Sequence, residues 1–266
     1  MKRLDAAQRL FDLLKNDGPG TALIWDYSKT DRRLANPDNG AKPAIAGDVV
    51  GFDADWSRYG SKTYAQVLAE NGWTLPNEIP GNHARQGTGN SKPKWQPGPK
   101  PFLLFDGVDD FENIAGLIAN SAGTMVSAFR ADADVASSII SVAGGISTNN
   151  KRVTLQLGSA GQPQFAFNDQ FTSYGDNHRG IDLAMVQTWG NGRRRCYLST
   201  QPDPLVIDEA RAANMDGFGN SYKIGSVETA TSQFWKGRIY GTLIRAVETS
   251  DADIRNIILP AFKGLF

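Results

Sequence analysis

The chain has 266 residues, and its 28 lysines and arginines balance its 28 aspartates and glutamates. It therefore has no net charge that would attract nucleic acid or an anionic membrane. The single cysteine, Cys196, cannot form an internal disulfide, and we expect it to be a small buried residue. Charged residues interrupt residues 1–17, so we predict no signal peptide, and no apolar run is long enough for membrane insertion.

The first predicted element is an amphipathic helix over residues 2–16. Its apolar residues recur every three or four positions and share one face: Leu4, Ala7, Leu10, Phe11 and Leu14. A helix of this kind at a chain terminus usually packs on its own domain. The alternative is an assembly helix that docks the protein onto a larger particle.

Short elements follow the helix. A strand is predicted at 21–27, another at 48–56 and a brief helix at 63–71. From 73 to 100 prolines and glycines recur every few residues, which forbids long regular elements.

The stretch 101–111 begins a more regular pattern. Its aromatic and aliphatic residues end at Asp106-Gly107, a pair suited to a tight turn. We therefore interpret residues 1–100 as a helix and an extended Pro/Gly-rich assembly arm, and residues 101–266 as the folded domain.

Strand-like segments separated by turn residues continue to the end of the chain. They lie at 124–130, 137–142, 152–158, 164–168, 181–189, 195–200, 222–227 and 237–247. Asn191-Gly192 predicts a tight hairpin between two of them. Ser250 is a suitable N-cap for a short closing helix that we expect Pro260 to stop. The pattern indicates a mainly β protein, an antiparallel β-sandwich of the jelly-roll type with a helix at each end.

Several of these landmarks occur in the order typical of one superfamily. They are Phe-Asp-Gly-Val-Asp-Asp-Phe at 105–111, the strand at 124–130, the Asn191-Gly192 hairpin, Tyr-Lys-Ile-Gly at 222–225, Trp-Lys-Gly-Arg-Ile-Tyr at 235–240 and Ser-Asp-Ala-Asp-Ile at 250–254. Over residues 101–259 the chain resembles the concanavalin A-like, laminin G-like jelly rolls. It departs from many members at 197–200, where the glycine of the turn after the hairpin is lacking.

The N-terminal part adds a narrower resemblance. Trp-Asp-Tyr-Ser at 25–28, Gly-Asn-His-Ala at 81–84 and Lys92-Pro93 are similar in layout to phage and prophage virion proteins that carry such a jelly roll. This resemblance implies a non-enzymatic tail, neck, fibre or capsid-surface component. It also implies a virion location after synthesis in the bacterial cytoplasm, other virion proteins as partners, and a homo-oligomer or several symmetric copies.

The acidic turn is a candidate metal site. Asp106, Asp109 and Asp110 offer the oxygen ligands that calcium prefers, although their spacing matches no EF-hand loop. The competing interpretation is a solvated turn in which Asp106 caps the backbone and the other two face water. We therefore predict no metal and no other cofactor, with calcium as the alternative.

Neither histidine lies in a catalytic motif. His83 is in the Pro/Gly-rich arm and His178 is in a polar loop, so no catalytic residue is predicted. The run at 193–195 consists of three arginines, which would suit an acidic ligand or protect a strand edge from pairing. Stacking aromatics do not interleave with it, so we predict no nucleic-acid binding.

A host-surface glycan is the alternative partner. Four residues near predicted loops or strand ends are candidates for sugar contact, namely Tyr174, His178, Trp189 and Trp235. Core packing is the competing interpretation of the tryptophans. The functions considered are therefore a structural virion protein, a carbohydrate-binding adhesion module and, ranked third, a polysaccharide-degrading enzyme.

Overall fold

The computed structural model describes most of the chain. The described residues are 6–17, 22–27, 34–35, 39–56, 59, 62–75, 78, 83–115, 122–134, 140–147, 152–167, 170–173, 175–190, 193–201, 203–208, 218–226 and 233–266. Helix α1 is Ala6–Lys15 and α2 is Tyr64–Asn71. The C-terminal helix, residues 251–263, consists of α3 (Asp251–Asp253), a π-helical turn (Ile254–Ile258) and α4 (Leu259–Lys263). A 3₁₀ turn occupies Gly89–Ser91.

Seventeen strands are described. Those before residue 116 are β1 (Ala22–Asp26), β2 (Leu34–Ala35), β3 (Phe52–Asp53), β4 (Ala84–Arg85), β5 (Lys94–Gln96), β6 (Phe102–Asp106) and β7 (Glu112–Ala115). The middle ones are β8 (Gly123–Ala131), β9 (Ile140–Ser147), β10 (Arg152–Leu157), β11 (Pro163–Phe167) and β12 (Gln170–Ser173). The last five are β13 (Leu183–Gly190), β14 (Arg193–Leu198), β15 (Leu205–Asp208), β16 (Phe218–Ile224) and β17 (Lys236–Arg245).

The strands form two antiparallel sheets, which confirms the predicted fold class. Sheet I has the order β15-β14-β13-β8-β17-β6-β5, and β1 also pairs with β17. Sheet II has the order β12-β11-β10-β9-β16-β7-β4-β3-β2. The predicted hairpin between β13 and β14 is confirmed by the pairing of Gly190 with Arg193, whereas Asn191 and Gly192 themselves lie outside the described residues.

Much of sheet I is buried on both faces. In β8, Met125 and Phe129 belong to the core between the sheets, and Val126 and Ala128 belong to a second apolar cluster on the outer face. Alternate residues of a strand point to opposite faces, so both sets are apolar. The second cluster also contains α1, α2 and the C-terminal helix, which therefore cover part of the outer face of sheet I.

The interpretation of residues 1–100 as an arm is wrong for the described part. Strand β1 pairs with β17 in sheet I, and β2, β3 and β4 extend sheet II. Tyr27 and Val50 are fully buried in the core between the sheets. Short strands interrupted by proline and glycine can still pair with a preformed sheet, so residue 100 is not a structural boundary.

Two local expectations also need correction, one on the C-terminal helix and one on the arginine run. The helix does not stop at Pro260, because the π-helical turn links the Leu259 N–H to the Ile254 carbonyl and proline then occupies the first turn of α4. The segment after the hairpin contains strand β15. The arginine run at 193–195 is therefore not at a sheet edge, because β14 pairs with both β13 and β15.

No helix in the described part of the chain is long and apolar enough to cross a membrane.

Candidate functional site: a charged cleft at the end of sheet I

A cleft of about 640 Å³ lies where β6 ends and β17 begins. The register places Asp106 of β6 directly opposite Lys236 of β17. Lysines and aspartates dominate its polar lining, which includes Lys92, Lys94, Lys236, Asp106, Asp109, Asp110 and Asp132. The side-chain amide of the exposed Asn90 adds a neutral hydrogen-bonding group. The cleft thus offers both donors and acceptors to a ligand.

The acidic turn forms one wall of this cleft. The Val108 N–H donates a hydrogen bond to Asp106 Oδ1 at 2.7 Å, so Asp106 caps the turn as the turn interpretation expects. Gly107 has a φ of +82°, and a Cβ there would lie 2.7 Å from Lys236 Cβ. Only glycine readily adopts this φ and leaves room for the Lys236 side chain, so its presence lets the turn approach β17 closely.

Hydrogen bonds fix the turn to the 3₁₀ segment beside it. The Ser91 hydroxyl donates to Asp109 Oδ2 at 3.0 Å, and the Phe111 N–H donates to the Ser91 carbonyl at 3.1 Å. The Gln86 amide donates to the Phe111 carbonyl at 3.1 Å. Asp109 is thus held in place by a neighbouring segment and does not simply face water.

Asp110 also lines the cleft and is only 5% exposed. The pKa of its carboxyl is raised to about 7, mainly by burial; the negative charges of Asp106 and Asp109 act in the same direction, whereas the hydrogen bond from the Asp106 N–H and the charge of Lys94 oppose the shift. That hydrogen bond, from the Asp106 N–H to Asp110 Oδ2, measures 2.9 Å. Asp110 therefore changes protonation near neutral pH.

The three aspartates come together as the sequence suggests. One ligand atom from each of Asp106, Asp109 and Asp110 lies within 4.8 Å of the others. Several of these oxygens already accept hydrogen bonds from the protein. Calcium binding at this cluster, and its absence, both stay predictions.

The lysines of the cleft were not identified from the sequence. Lys92 and Lys94 belong to the segment interpreted as an arm, and Lys236 comes from the beginning of a distant strand. Lys236 also forms an ion pair with Asp134 at 2.9 Å. Only the strand register brings these residues together, and no local sequence motif predicts that they are close.

The predicted glycan-contacting residues are not brought together. Trp189 and Trp235 are 1% and 0% exposed within the core between the sheets, so neither ring presents a face to a sugar. His178 is 8% exposed, and its Nδ1 lies 2.6 Å from the Asp176 carbonyl oxygen. Tyr174 lies outside the described residues. The two tryptophans are thus core residues, which corrects their assignment as candidates for stacking.

The apolar face of α1 is covered by the protein itself. Leu10, Phe11 and Leu14 are buried in the same cluster as Ile254 and Ile258 of the C-terminal helix. Ala7 is exposed and Leu4 lies outside the described residues. The described part of the predicted assembly helix therefore packs on its own domain, which corrects the docking interpretation.

No protein-family model matches the sequence, and no curated protein matches it. Among solved structures, a Trypanosoma rangeli sialidase in complex with sialic acid is 12% identical with a TM-score of 0.55, and the match covers 90% of this chain and 37% of the sialidase. Another Trypanosoma rangeli sialidase, in complex with a 2,3-difluoro-KDN, is 13% identical with a TM-score of 0.55, covering 98% of this chain and 39% of that one. The chain thus spans less than two fifths of these sialidases.

A carbohydrate-binding module shows a weaker likeness. The CBM40 module of Ruminococcus gnavus IT-sialidase, bound to α2,3-sialyllactose, is 14% identical with a TM-score of 0.44, covering 54% of this chain and 83% of the module. That score is too low to support an argument.

These neighbours overturn the prediction that the protein is not an enzyme. That prediction relied on a resemblance to structural virion proteins, whereas solved structures with a similar fold include sialidases, which are enzymes. At such low identity the likeness shows the fold alone and assigns no activity to this chain. The shared feature is a β-sandwich, which confirms the fold that the resemblance in the sequence implies.

Proposed function

We propose that the protein binds carbohydrate in the cleft at the end of sheet I. The observation that carries the proposal is the cleft itself, with its volume of about 640 Å³ and its alternation of carboxylate, amide and ammonium groups. Sugar hydroxyls donate to carboxylates and accept from amides and ammonium groups, so a polyhydroxylated ligand satisfies both kinds of group. The expected role is attachment to a glycan on a host surface.

The wall of the cleft is preorganised for such a ligand. Asp106 and Asp109 are held by the turn and by Ser91, so little side-chain freedom is lost when a ligand binds. Lys94 and Asn90 are exposed and line the same cleft. Acceptors held in place by hydrogen bonds, together with exposed donors in the same cleft, favour recognition of several hydroxyl groups at once.

A glycan array of the purified protein tests the proposal. We expect reproducible binding to a subset of saccharides, and binding about 5- to 150-fold weaker for the Asn90→Ala/Lys94→Gln variant, because two lost hydrogen bonds together remove about 1–3 kcal/mol. Lys62→Gln is the matched control, since Lys62 is an exposed lysine paired with Glu70 on another part of the surface. An array without signal, or a cleft variant that binds like the control, would contradict the proposal.

One observation favours hydrolysis of a glycan as a second candidate function. Asp110 carries a carboxyl group with a pKa of about 7 beside two other carboxylates in the cleft. A protonated acid next to a carboxylate is the combination that glycosidases use to cleave a glycosidic bond. Incubation with the saccharides bound on the array should release new reducing ends, and Asp110→Asn should abolish the release. Intact saccharides would leave binding as the function of the cleft.

The structural role in a virion stays a prediction. This role depends on the N-terminal resemblance. It also requires a surface that docks onto the particle, and the apolar face of α1 predicted for this purpose is covered by the C-terminal helix. Binding of a host glycan is compatible with a location on a particle, in one copy or in several. Co-purification with other virion proteins would test that location separately from the cleft.

A further inference from the structure

A row of basic residues crosses the outer face of sheet I next to the cleft. Lys94 pairs with Leu104, Leu104 pairs with Arg238, and Arg238 pairs with Arg130. Ile239 follows Arg238, and Phe129 precedes Arg130. These two apolar residues pair with each other in the core between the sheets. Because neighbouring residues of a strand face opposite ways, Arg238 and Arg130 both point outward.

Two guanidinium groups directly opposite each other repel. Asp182 compensates one of them, since its Oδ2 lies 3.4 Å from Arg130 Nη1. Its other oxygen accepts a hydrogen bond from the Tyr240 hydroxyl at 2.6 Å. No described carboxylate forms an ion pair with Arg238, whose guanidinium lies 4.7 Å from the centre of the Phe102 ring. The arginine pair therefore retains one uncompensated positive charge.

We propose that Arg238 and Arg130 form an anion subsite that binds an acidic group of the ligand, a carboxylate or a sulfate. The subsite extends the binding function proposed for the cleft and rests on it for the identity of the ligand. Guanidinium groups bind such anions through two parallel N–H donors. The Phe102 ring packs against the Arg238 guanidinium, and Asp182 pairs with Arg130, so both groups are held in place.

The position of the pair suits one ligand that occupies both sites. Arg238 and Lys236 are two residues apart on β17 and share its outer face, and Lys236 lines the cleft. Residues two apart on a strand lie about 7 Å from each other. A saccharide whose hydroxyls occupy the cleft can thus place a charged substituent on the arginine pair. The subsite predicts that acidic saccharides bind better than neutral ones.

The first experiment tests the anion subsite without any saccharide. The side-chain Nε–Hε resonances of the arginines are followed by NMR while sulfate is added at constant ionic strength. We expect saturable shifts for Arg238 and Arg130 and none for Arg85, an exposed arginine that lies 5.4 Å from the centre of the Phe52 ring in sheet II. Arg238→Gln should abolish the shift at Arg130, because both groups share one anion. Absence of saturable shifts would overturn the subsite, whatever the cleft binds.

The second experiment compares neutral, carboxylated and sulfated saccharides on the array. We expect the wild type to prefer acidic saccharides, and Arg238→Gln to bind them at least tenfold more weakly while keeping its neutral ligands. Arg85→Gln should bind like the wild type. Equal loss of neutral and acidic ligands, or no preference in the wild type, would refute the subsite. Saturable sulfate binding with a silent array would instead refute carbohydrate binding in the cleft and leave the anion subsite standing.

Discussion

Replacement of Glu112 by glutamine should change how the stability of the sandwich depends on pH. Glu112 is fully buried, and its Oε2 accepts a hydrogen bond from the Tyr27 hydroxyl at 3.4 Å. Its Oε1 has no hydrogen-bond partner among the described residues. Burial raises the pKa of this carboxyl from its ordinary 4.5 to about 8, against the opposing effect of the Tyr27 hydrogen bond.

The direction of the effect follows from proton linkage. Below about pH 4.5 Glu112 is protonated in both the folded and the unfolded chain, so its contribution to stability is fully present. As the pH rises toward 8 the unfolded chain loses this proton first, and the contribution is lost. The interval from 4.5 to about 8 corresponds to roughly 5 kcal/mol of unfolding free energy. Glu112→Gln cannot titrate and should remove this part of the dependence.

Urea unfolding at several pH values between 5 and 8 measures the difference. The wild type should lose stability steadily over this range, and Glu112→Gln should lose several kcal/mol less. Asp110 titrates in the same window, so Asp110→Asn is the control that shows how much slope the cleft contributes. Parallel pH profiles for the wild type and Glu112→Gln would refute the buried-acid argument.

Three further predictions concern other parts of the structure. Gly107→Ala should lower the unfolding free energy by about 1–2 kcal/mol in urea titrations, because its positive φ and the nearby Lys236 both disfavour a side chain; an unchanged midpoint would contradict the geometry of the turn. Arg245→Met should cost up to about 3–5 kcal/mol by removing the guanidinium that pairs with the buried Asp17 carboxylate, and adding Asp17→Leu should recover most of the loss if the 2.6 Å ion pair is its cause. The Cys196 thiol, whose pKa is raised by burial, should react with a disulfide reagent in urea but not in the folded protein, and rapid labelling of the folded protein would refute its burial.

The sequence predicts the long strands well because their evidence is local. Val153, Leu155 and Leu157 alternate with polar residues, and all three lie in the core between the sheets. Strands of two or three residues, such as β3 and β4, have no such period. They form because partner strands already offer hydrogen bonds, and this tertiary effect is invisible in a window of sequence.

The candidate site, too, can be predicted from the sequence only where its residues lie close together in the chain. The acidic cluster is local, so Asp106, Asp109 and Asp110 could be named from the sequence. Lys236 joins them only through the register of β6 and β17. The sequence leaves open whether Trp189 is buried or exposed for a similar reason. Its place in the core depends on the paired Gly123 of β8, where a Cβ would lie 2.2 Å from the indole.

The outer face of sheet I explains why a binding site lies where it does. Its apolar rows, such as Val126 and Ala128, are buried under α1 and the C-terminal helix. Apolar cover continues to Tyr240, which is 2% exposed and lies against Phe266, beyond the C-terminal helix. The next residue of β17 on this face is Arg238, where aromatic cover gives way to the basic row and the cleft. A helix extended over that row would bury the guanidinium of Arg238, which has no carboxylate partner among the described residues, at a large cost in free energy. The same charges that keep the helices off this end of the sheet therefore leave it open to a ligand.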